Sequence, residues 1–122
     1  MYAIGSSYLI RQSPGAERIG GVTVRISPRT GSMGTLKAIA TDWITEELID
    51  DDIKFLIEGA TEGIKRFAAE NSFNLDDWDI TVTKFAYHPV DSKQRTVQIA
   101  AYNAIAVALA SWRSLYVQPA ES

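Results

Sequence analysis

Cysteine is absent from this chain of 122 residues. Without thiols the chain forms no disulfide, no thiolate metal site and no cysteine nucleophile, which fits an expected cytoplasmic location. Histidine occurs once, as His88. A lone histidine without cysteine is a poor basis for a metal centre, so we expect no metal and no cofactor.

Long apolar segments are also missing. The longest stretch without a charged residue covers residues 96–112, and Gln98, Tyr102 and Asn103 interrupt it. A membrane-spanning helix needs about 20 predominantly apolar residues, so this stretch predicts a buried helix instead. The first ten residues lack the basic start and apolar block of a secretion signal. We therefore expect no membrane partner.

A phosphate-binding loop of the form Gly-x-x-x-x-Gly-Lys-[Ser/Thr] is not found anywhere in the sequence. The backbone amides of such a loop hold nucleotide phosphates. We therefore expect neither nucleotide binding nor nucleotide hydrolysis. Asp91 and Gln94 have the spacing of a capping box, which explains Asp91 and Ser92 better than a catalytic pair does. The chain is expected not to be an enzyme.

Charge is distributed unevenly behind the net value of −3. Residues 1–41 sum to +4, residues 42–80 to −9 and residues 81–122 to +2. Nucleic-acid binders usually concentrate positive charge, because neutralising phosphates supplies much of their affinity. The two ends of the sequence would form a basic face, but the whole molecule is expected to bind RNA weakly by itself.

Hydrophobic periodicity predicts the fold, and 122 residues fit one domain, residues 1–122. A period of two predicts strands at 22–26 and 78–82, and weaker strand signals lie at 8–12 and 36–41. Helical spacing follows from about residue 50 and again after Gln94. The order βββαβα predicts an α+β two-layer sandwich with two helices on one face of a four-stranded mixed sheet. The side chains predicted to be buried on the second helix are Val97, Ala101, Ala104, Ala108 and Trp112.

Several smaller features carry structural expectations. Residues 14–20 and 84–89 are predicted to be connecting loops. Gly59 and Gly63, inside the first helix, predict close packing against the sheet. The three tryptophans, Trp43, Trp78 and Trp112, are interpreted as packing residues.

Residues 80–92, with the sequence ITVTKFAYHPVDS, resemble a stretch of the translation elongation factor G family in which a strand runs into Tyr-His-x-Val-Asp-Ser. The helix that follows, with Ile99-Ala100-Ala101 and Ala104, is similar to the family's Ile-Ala-Ala-x-x-Ala. Arg11-Gln12-Ser13 followed by Gly20, Val22 and Pro28 resembles the family's opening strands, and Gly63-Ile64 matches a Gly-Ile pair. The resemblance, spread over about residues 8–112, is to domain IV of that family.

This resemblance implies a left-handed βαβ crossover, shared with domain 2 of a small-subunit ribosomal protein, where the general expectation is right-handed. It also implies contact with the decoding centre of the small ribosomal subunit through tip loops, and it places His88 in one of them. Two tip segments differ from the family. Lys84-Phe85-Ala86 replaces an Asp-Gly turn, and residues 14–20 replace a glycine-rich loop.

Two functional hypotheses follow. In the first, the chain is a translation-related module that contacts the ribosome or structured RNA through its tip loops. In the second, it is a protein-interaction or structural module that keeps the scaffold without RNA binding, with a protein partner or a second copy docking on a sheet edge or apolar surface. The candidate residues for the first are His88, Tyr87, Lys84, Phe85, Arg18, Lys93 and Arg95, with Tyr87 and Phe85 as stacking platforms for bases.

Overall fold

A computed structural model describes the backbone of residues 1–13, 16–43, 50–87 and 94–117. Side chains are described for residues 1–7, 21–37, 54–85 and 95–117.

The chain forms four strands and two long helices in the predicted order βββαβα. The first two strands are longer than expected, because residues 16–20 belong to a strand and only residues 14–15 separate the two. The fourth strand likewise continues through Tyr87, into the segment that was predicted to be a loop. The elements are β1 (Ala3–Ser13), β2 (Ala16–Pro28), β3 (Thr35–Trp43), α1 (Asp50–Glu70), a single 3₁₀ turn (Leu75–Asp77), β4 (Trp78–Tyr87) and α2 (Gln94–Tyr116).

The four strands form one mixed sheet in the order β1-β2-β4-β3. β1 pairs with β2 and β2 pairs with β4 in antiparallel fashion, whereas β3 and β4 are parallel. α1 therefore connects two parallel neighbours, as a βαβ unit does. The left hand of this crossover stays a prediction.

One face of the sheet forms the core together with both helices. Val22, Val24 and Ile26 are buried, as their alternation predicts. The five side chains predicted to be buried on α2 are all buried as well. The α+β two-layer sandwich is confirmed, and the opposite face of the sheet, here called the open face, carries no helix among the described residues.

Small residues bring α2 unusually close to β1. Ala104 and Ala108 are completely buried where the helix crosses Gly5 of β1. A Cβ atom added at Gly5 would overlap backbone atoms of these two alanines. The alanine-rich face of α2 and the glycine in β1 are therefore two halves of one contact.

The two helices also meet through a glycine. A Cβ atom at Gly63 of α1 would overlap the backbone carbonyl of Gln98 on α2. The expectation that Gly63 packs against the sheet is therefore wrong, since its neighbour is the other helix. α1 ends at Glu70. Two residues later, Ser72 has a φ of 53° in the left-handed region, and the Phe73 N–H donates to the Ala68 carbonyl.

A chain of aromatic rings connects both helices to the start of β4. Trp78 meets Trp112 edge to face with ring centres 5.1 Å apart, and Trp112 is buried. The packing role predicted for these two tryptophans is confirmed, while the Trp43 side chain lies outside the described residues. The consecutive rings of the chain are Tyr102, Phe67, Phe73, Trp78, Trp112 and Tyr116.

Neither α1 nor α2 combines the length and apolar character that a membrane crossing requires, as far as the described residues go.

Candidate functional site

The segments predicted to form the tip lie at one end of the sheet, here called the tip end. β3 and β4 run in parallel towards it, and β2 starts from it, because Gly20 pairs with Tyr87. The start of the β1–β2 arm at Gly20 and the last described residues of β3 and β4 therefore lie at the same end of the sheet. The opposite end, here called the far end, holds the start of β1 and the end of α2, where the Tyr116 hydroxyl donates to the Tyr2 carbonyl at 3.0 Å.

β1 and β2 extend beyond the rest of the sheet at the tip end. The last pair between β2 and β4 is Gly20 with Tyr87, but β1 and β2 stay paired as far as Ser13 with Ala16. At about 3.4 Å per residue this two-stranded arm projects roughly 13 Å past the end of β4. Arg18 pairs with Arg11 in the arm. Two cationic residues therefore occupy opposite backbone positions there.

A β-bulge at Thr83 determines which side chains in the second half of β4 face the core. Thr23 pairs with Lys84 and Val24 with Val82, so the register between β2 and β4 skips Thr83. The Thr83 hydroxyl lies 3.5 Å from the Thr23 carbonyl, to which it donates. An extra residue in one strand shifts the alternation of its side chains by one position. The buried positions of β4 therefore run from Ile80 and Val82 to Phe85.

The bulge changes the role of one candidate residue, Phe85. Phe85 is 1% exposed, pairs with Val22 and belongs to the core. A fully buried ring offers no surface for a base, so the prediction that Phe85 is a stacking platform is wrong. Lys84, by contrast, is half-buried and lies on the open face of the sheet.

Arg95 lies in a different layer from Lys84. It is exposed at the start of α2 and lines a groove of about 510 Å³ between the two helices. The expected single basic surface is therefore divided between the open face and the helix layer. Opposite charges share the groove, which is lined by Glu62, Gly63, Arg66, Glu70, Arg95, Gln98, Ile99 and Tyr102.

Arg29, one of the cations in the basic first 41 residues, has a structural role at the far end. Its guanidinium lies 3.3 Å from the Ser32 carbonyl and 3.5 Å from the Asp76 carbonyl, and donates to both. Its backbone N–H donates to the Asp77 carbonyl at 3.0 Å. Arg29 thus joins the β2–β3 connection to the 3₁₀ turn, away from the tip end.

Asp79 fixes the same connection from β4. One carboxylate oxygen accepts hydrogen bonds from the Thr30 backbone N–H at 3.1 Å and the Thr30 hydroxyl at 3.0 Å, and the other accepts from the Thr35 hydroxyl at 3.0 Å. Burial raises the pKa of Asp79, but the hydrogen bonds from Thr35 and Thr30 outweigh it and hold this pKa below its ordinary value of 3.8.

The remaining candidates are placed by their backbone or lie outside the described residues. Tyr87 ends β4, Gln94 begins α2 and Arg18 lies in the arm, in each case without a described side chain. His88, Lys93 and the predicted cap Asp91 lie outside the described residues, so their roles stay predictions.

The candidate list did not include Tyr2, Arg25 and Lys37, which are exposed on or beside the open face. The Arg25 guanidinium lies 4.7 Å from the centre of the Tyr2 ring, which is a cation–π contact. Arg25 alternates with the buried Val24 and Ile26, so the strand pattern already placed it on the polar face. Its proximity to Tyr2 follows from the pairing of β1 with β2.

Within the described residues, His, Asp and Glu side chains form no group of three that would hold a metal ion.

No protein-family profile and no curated sequence matches the chain. Among solved structures, a protein of Thermus thermophilus is similar, with a TM-score of 0.70 and 26% sequence identity. The match covers 90% of this chain and 16% of the Thermus chain. The fold described above therefore recurs as a small part of a much longer protein.

Proposed function

We propose that this chain is a non-catalytic binding module built like domain IV of the elongation factor G family, and that it contacts the ribosome or structured RNA through its tip end. The observation that carries the proposal is the pairing of Gly20, where the β1–β2 arm begins, with Tyr87, the first residue of the Tyr-His-x-Val-Asp-Ser motif. These two segments are the ones to which the resemblance assigns ribosome contacts.

Two further observations support this proposal. The βββαβα order was predicted from periodicity, and a mixed sheet backed by two helices agrees with the fold that the resemblance implies. The similar Thermus structure contains this fold within a much longer chain, as expected for one domain of a multidomain factor. Loops on a rigid scaffold are also where binding residues are commonly found.

Binding without catalysis is part of the proposal. The sequence has a single histidine, no cysteine and no phosphate-binding loop. The arm instead offers Arg11 and Arg18 at opposite positions, and cations of this kind position a protein on phosphates.

Co-sedimentation with purified ribosomes over a range of salt concentrations tests the proposal. We expect His88→Ala to weaken binding while changing the free energy of unfolding by no more than about 0.5 kcal/mol. We expect Lys84→Ala to reduce the slope of log affinity against log salt by about 1. Arg113→Ala removes one charge from the far end of α2 and is the control, with an unchanged slope.

Failure of wild-type protein to sediment with ribosomes would contradict the proposal, as would unfolding of the domain by His88→Ala.

A protein-interaction module is the second candidate function, and one observation favours it. Six of the eight large hydrophobic side chains that are exposed among the described residues lie where the chain begins and α2 ends. Clustered apolar surface often marks a protein interface. Binding to a protein or a second copy, without ribosome binding, would favour this candidate. The six residues are Met1, Tyr2, Ile4, Leu115, Tyr116 and Val117.

A further inference from the structure

The open face of the sheet carries two exposed cations, Arg25 and Lys37, on the same face as the exposed Ile4. Ile4, Arg25, Thr81 and Lys37 form one row across all four strands, because each is paired with the next. Ser6, Thr23 and Lys84 form the next row, and the Ser6 and Thr23 hydroxyl oxygens lie 2.9 Å apart. With strands about 4.8 Å apart, Arg25 and Lys37 are separated by roughly 10 Å.

Each row next to that of Arg25 and Lys37 includes one acidic position, about 7 Å away along the strands. Asp79 is one row closer to the far end, and both of its carboxylate oxygens accept hydrogen bonds from Thr30 and Thr35. Asp42 pairs with Lys84 on the other side of the row. The charge argument therefore rests on Arg25 and Lys37, which are both exposed.

An aromatic ring stands beside this row. Tyr2 is 49% exposed, and Arg25 covers one face of its ring at 4.7 Å. Unpaired bases stack on aromatic rings and on arginine planes, while neighbouring cations hold the phosphates. The open face thus presents two cations for phosphates, one ring for a base, and several hydroxyl groups.

We propose that the open face of the sheet binds a single-stranded RNA segment, with a base at the Tyr2–Arg25 pair and phosphates at Arg25 and Lys37. The proposal rests on the RNA-binding function proposed above and assigns it a second contact surface, which excludes the arm but includes the row next to Lys84.

The test uses fluorescence anisotropy with a labelled oligouridylate of about 12 nucleotides, within the usual range of site sizes. The double variant Arg25→Gln, Lys37→Gln should bind at least about tenfold more weakly. Its slope of log affinity against log salt should fall by about 1.4, because each phosphate contact on a single strand contributes about 0.7. Tyr2→Leu should weaken binding by about 5- to 150-fold through the loss of stacking.

The control variant Arg113→Gln, Lys65→Gln removes one arginine and one lysine from exposed helix positions, so its net charge equals that of the test variant. Urea denaturation of every variant checks that the fold is kept. Equal losses in the test and control variants would overturn the proposal, since only net charge would then matter.

Absence of oligouridylate binding by the wild-type protein would also overturn it. Ribosome co-sedimentation, measured on the same variants, separates the two proposals. If wild-type protein and the Arg25, Lys37 variant sediment equally while His88→Ala does not, the tip-end function stands and the open-face proposal is wrong. The open-face proposal is also wrong if the Arg25, Lys37 variant loses binding to anionic lipid vesicles while its binding to oligouridylate is unchanged.

Discussion

Thr83 decides which side chains of β4 reach the core and which face solvent. Because the register with β2 skips it, Phe85 packs inward beside Val22 and Lys84 remains on the open face. Without the bulge, regular alternation after Val82 would direct Lys84 inward and Phe85 outward. Burying the charge of Lys84 in the apolar core would be costly. The bulge avoids this cost and buries the ring of Phe85 in its place.

Exchange of Phe85 for alanine tests this arrangement. Phe85→Ala leaves a cavity in the core and should lower the free energy of unfolding by about 3–5 kcal/mol. Lys84→Ala, one residue away on the open face, should lower it by no more than about 1 kcal/mol. Urea denaturation followed by tryptophan fluorescence measures both. Similar effects of the two substitutions would contradict the bulge.

Among the contacts between secondary-structure elements, the packing of α2 on β1 depends most on residue size. Gly5, Ala104 and Ala108 together let the helix backbone approach the strand. The alanines of α2 bury little side-chain area, so their contribution comes from bringing the two backbones and the larger neighbouring side chains together. The same reasoning applies to Gly63 where α1 meets α2.

A single methyl group at Gly5 should therefore be poorly tolerated. Gly5→Ala forces the helix away from the strand and should cost about 1–3 kcal/mol of stability. Gly31→Ala is the matched control, because the nearest atom to its added Cβ would be 4.0 Å away. We expect it to change stability by no more than about 0.5 kcal/mol. Thermal unfolding monitored by circular dichroism compares the two, and a neutral Gly5→Ala would show that α2 does not lie as close as described.

At the scale of the whole molecule, the two ends of the sheet differ in construction. The far end is tied by Asp79, Arg29 and the aromatic chain, which connect the loops to both layers. The tip end carries the projecting arm, and β4 ends there at Tyr87. A far end held by hydrogen bonds and aromatic contacts, opposite a projecting arm, agrees with the tip-end binding proposed above.

The Asp79 hydrogen bonds should make global stability depend on acid pH. Because the folded-state pKa lies below the ordinary value of 3.8, the contribution of Asp79 is complete above that value and is lost as pH falls through the folded-state pKa. The urea midpoint of wild-type protein should exceed that of Asp79→Ala at neutral pH, and the difference should disappear in acid.

Glu58→Ala is the control for this experiment, because it removes an exposed carboxylate from α1. Its difference from wild-type protein should stay small across the same pH range. A midpoint difference for Asp79→Ala that persists unchanged into acid would show that the hydrogen bonds do not favour the ionised carboxylate.

The sequence by itself determined the order of elements and much of the core. Regular alternation predicted the buried Val22, Val24 and Ile26, and helical spacing predicted the buried face of α2, because burial on one side imposes its period on the chain. The absence of a phosphate-binding loop and the motif around His88 were equally visible. These features are local, so neighbouring residues suffice to specify them.

Only the tertiary structure decided which residues share a surface. The pairing of β2 with β4 creates the bulge that buries Phe85, and the pairing of β1 with β2 brings Tyr2 to Arg25. Lys84 and Arg95 lie only eleven positions apart in sequence, but the fold places them in different layers. Such outcomes depend on the register between distant strands. A register is fixed by the fit of the whole core, which no single segment of the sequence contains.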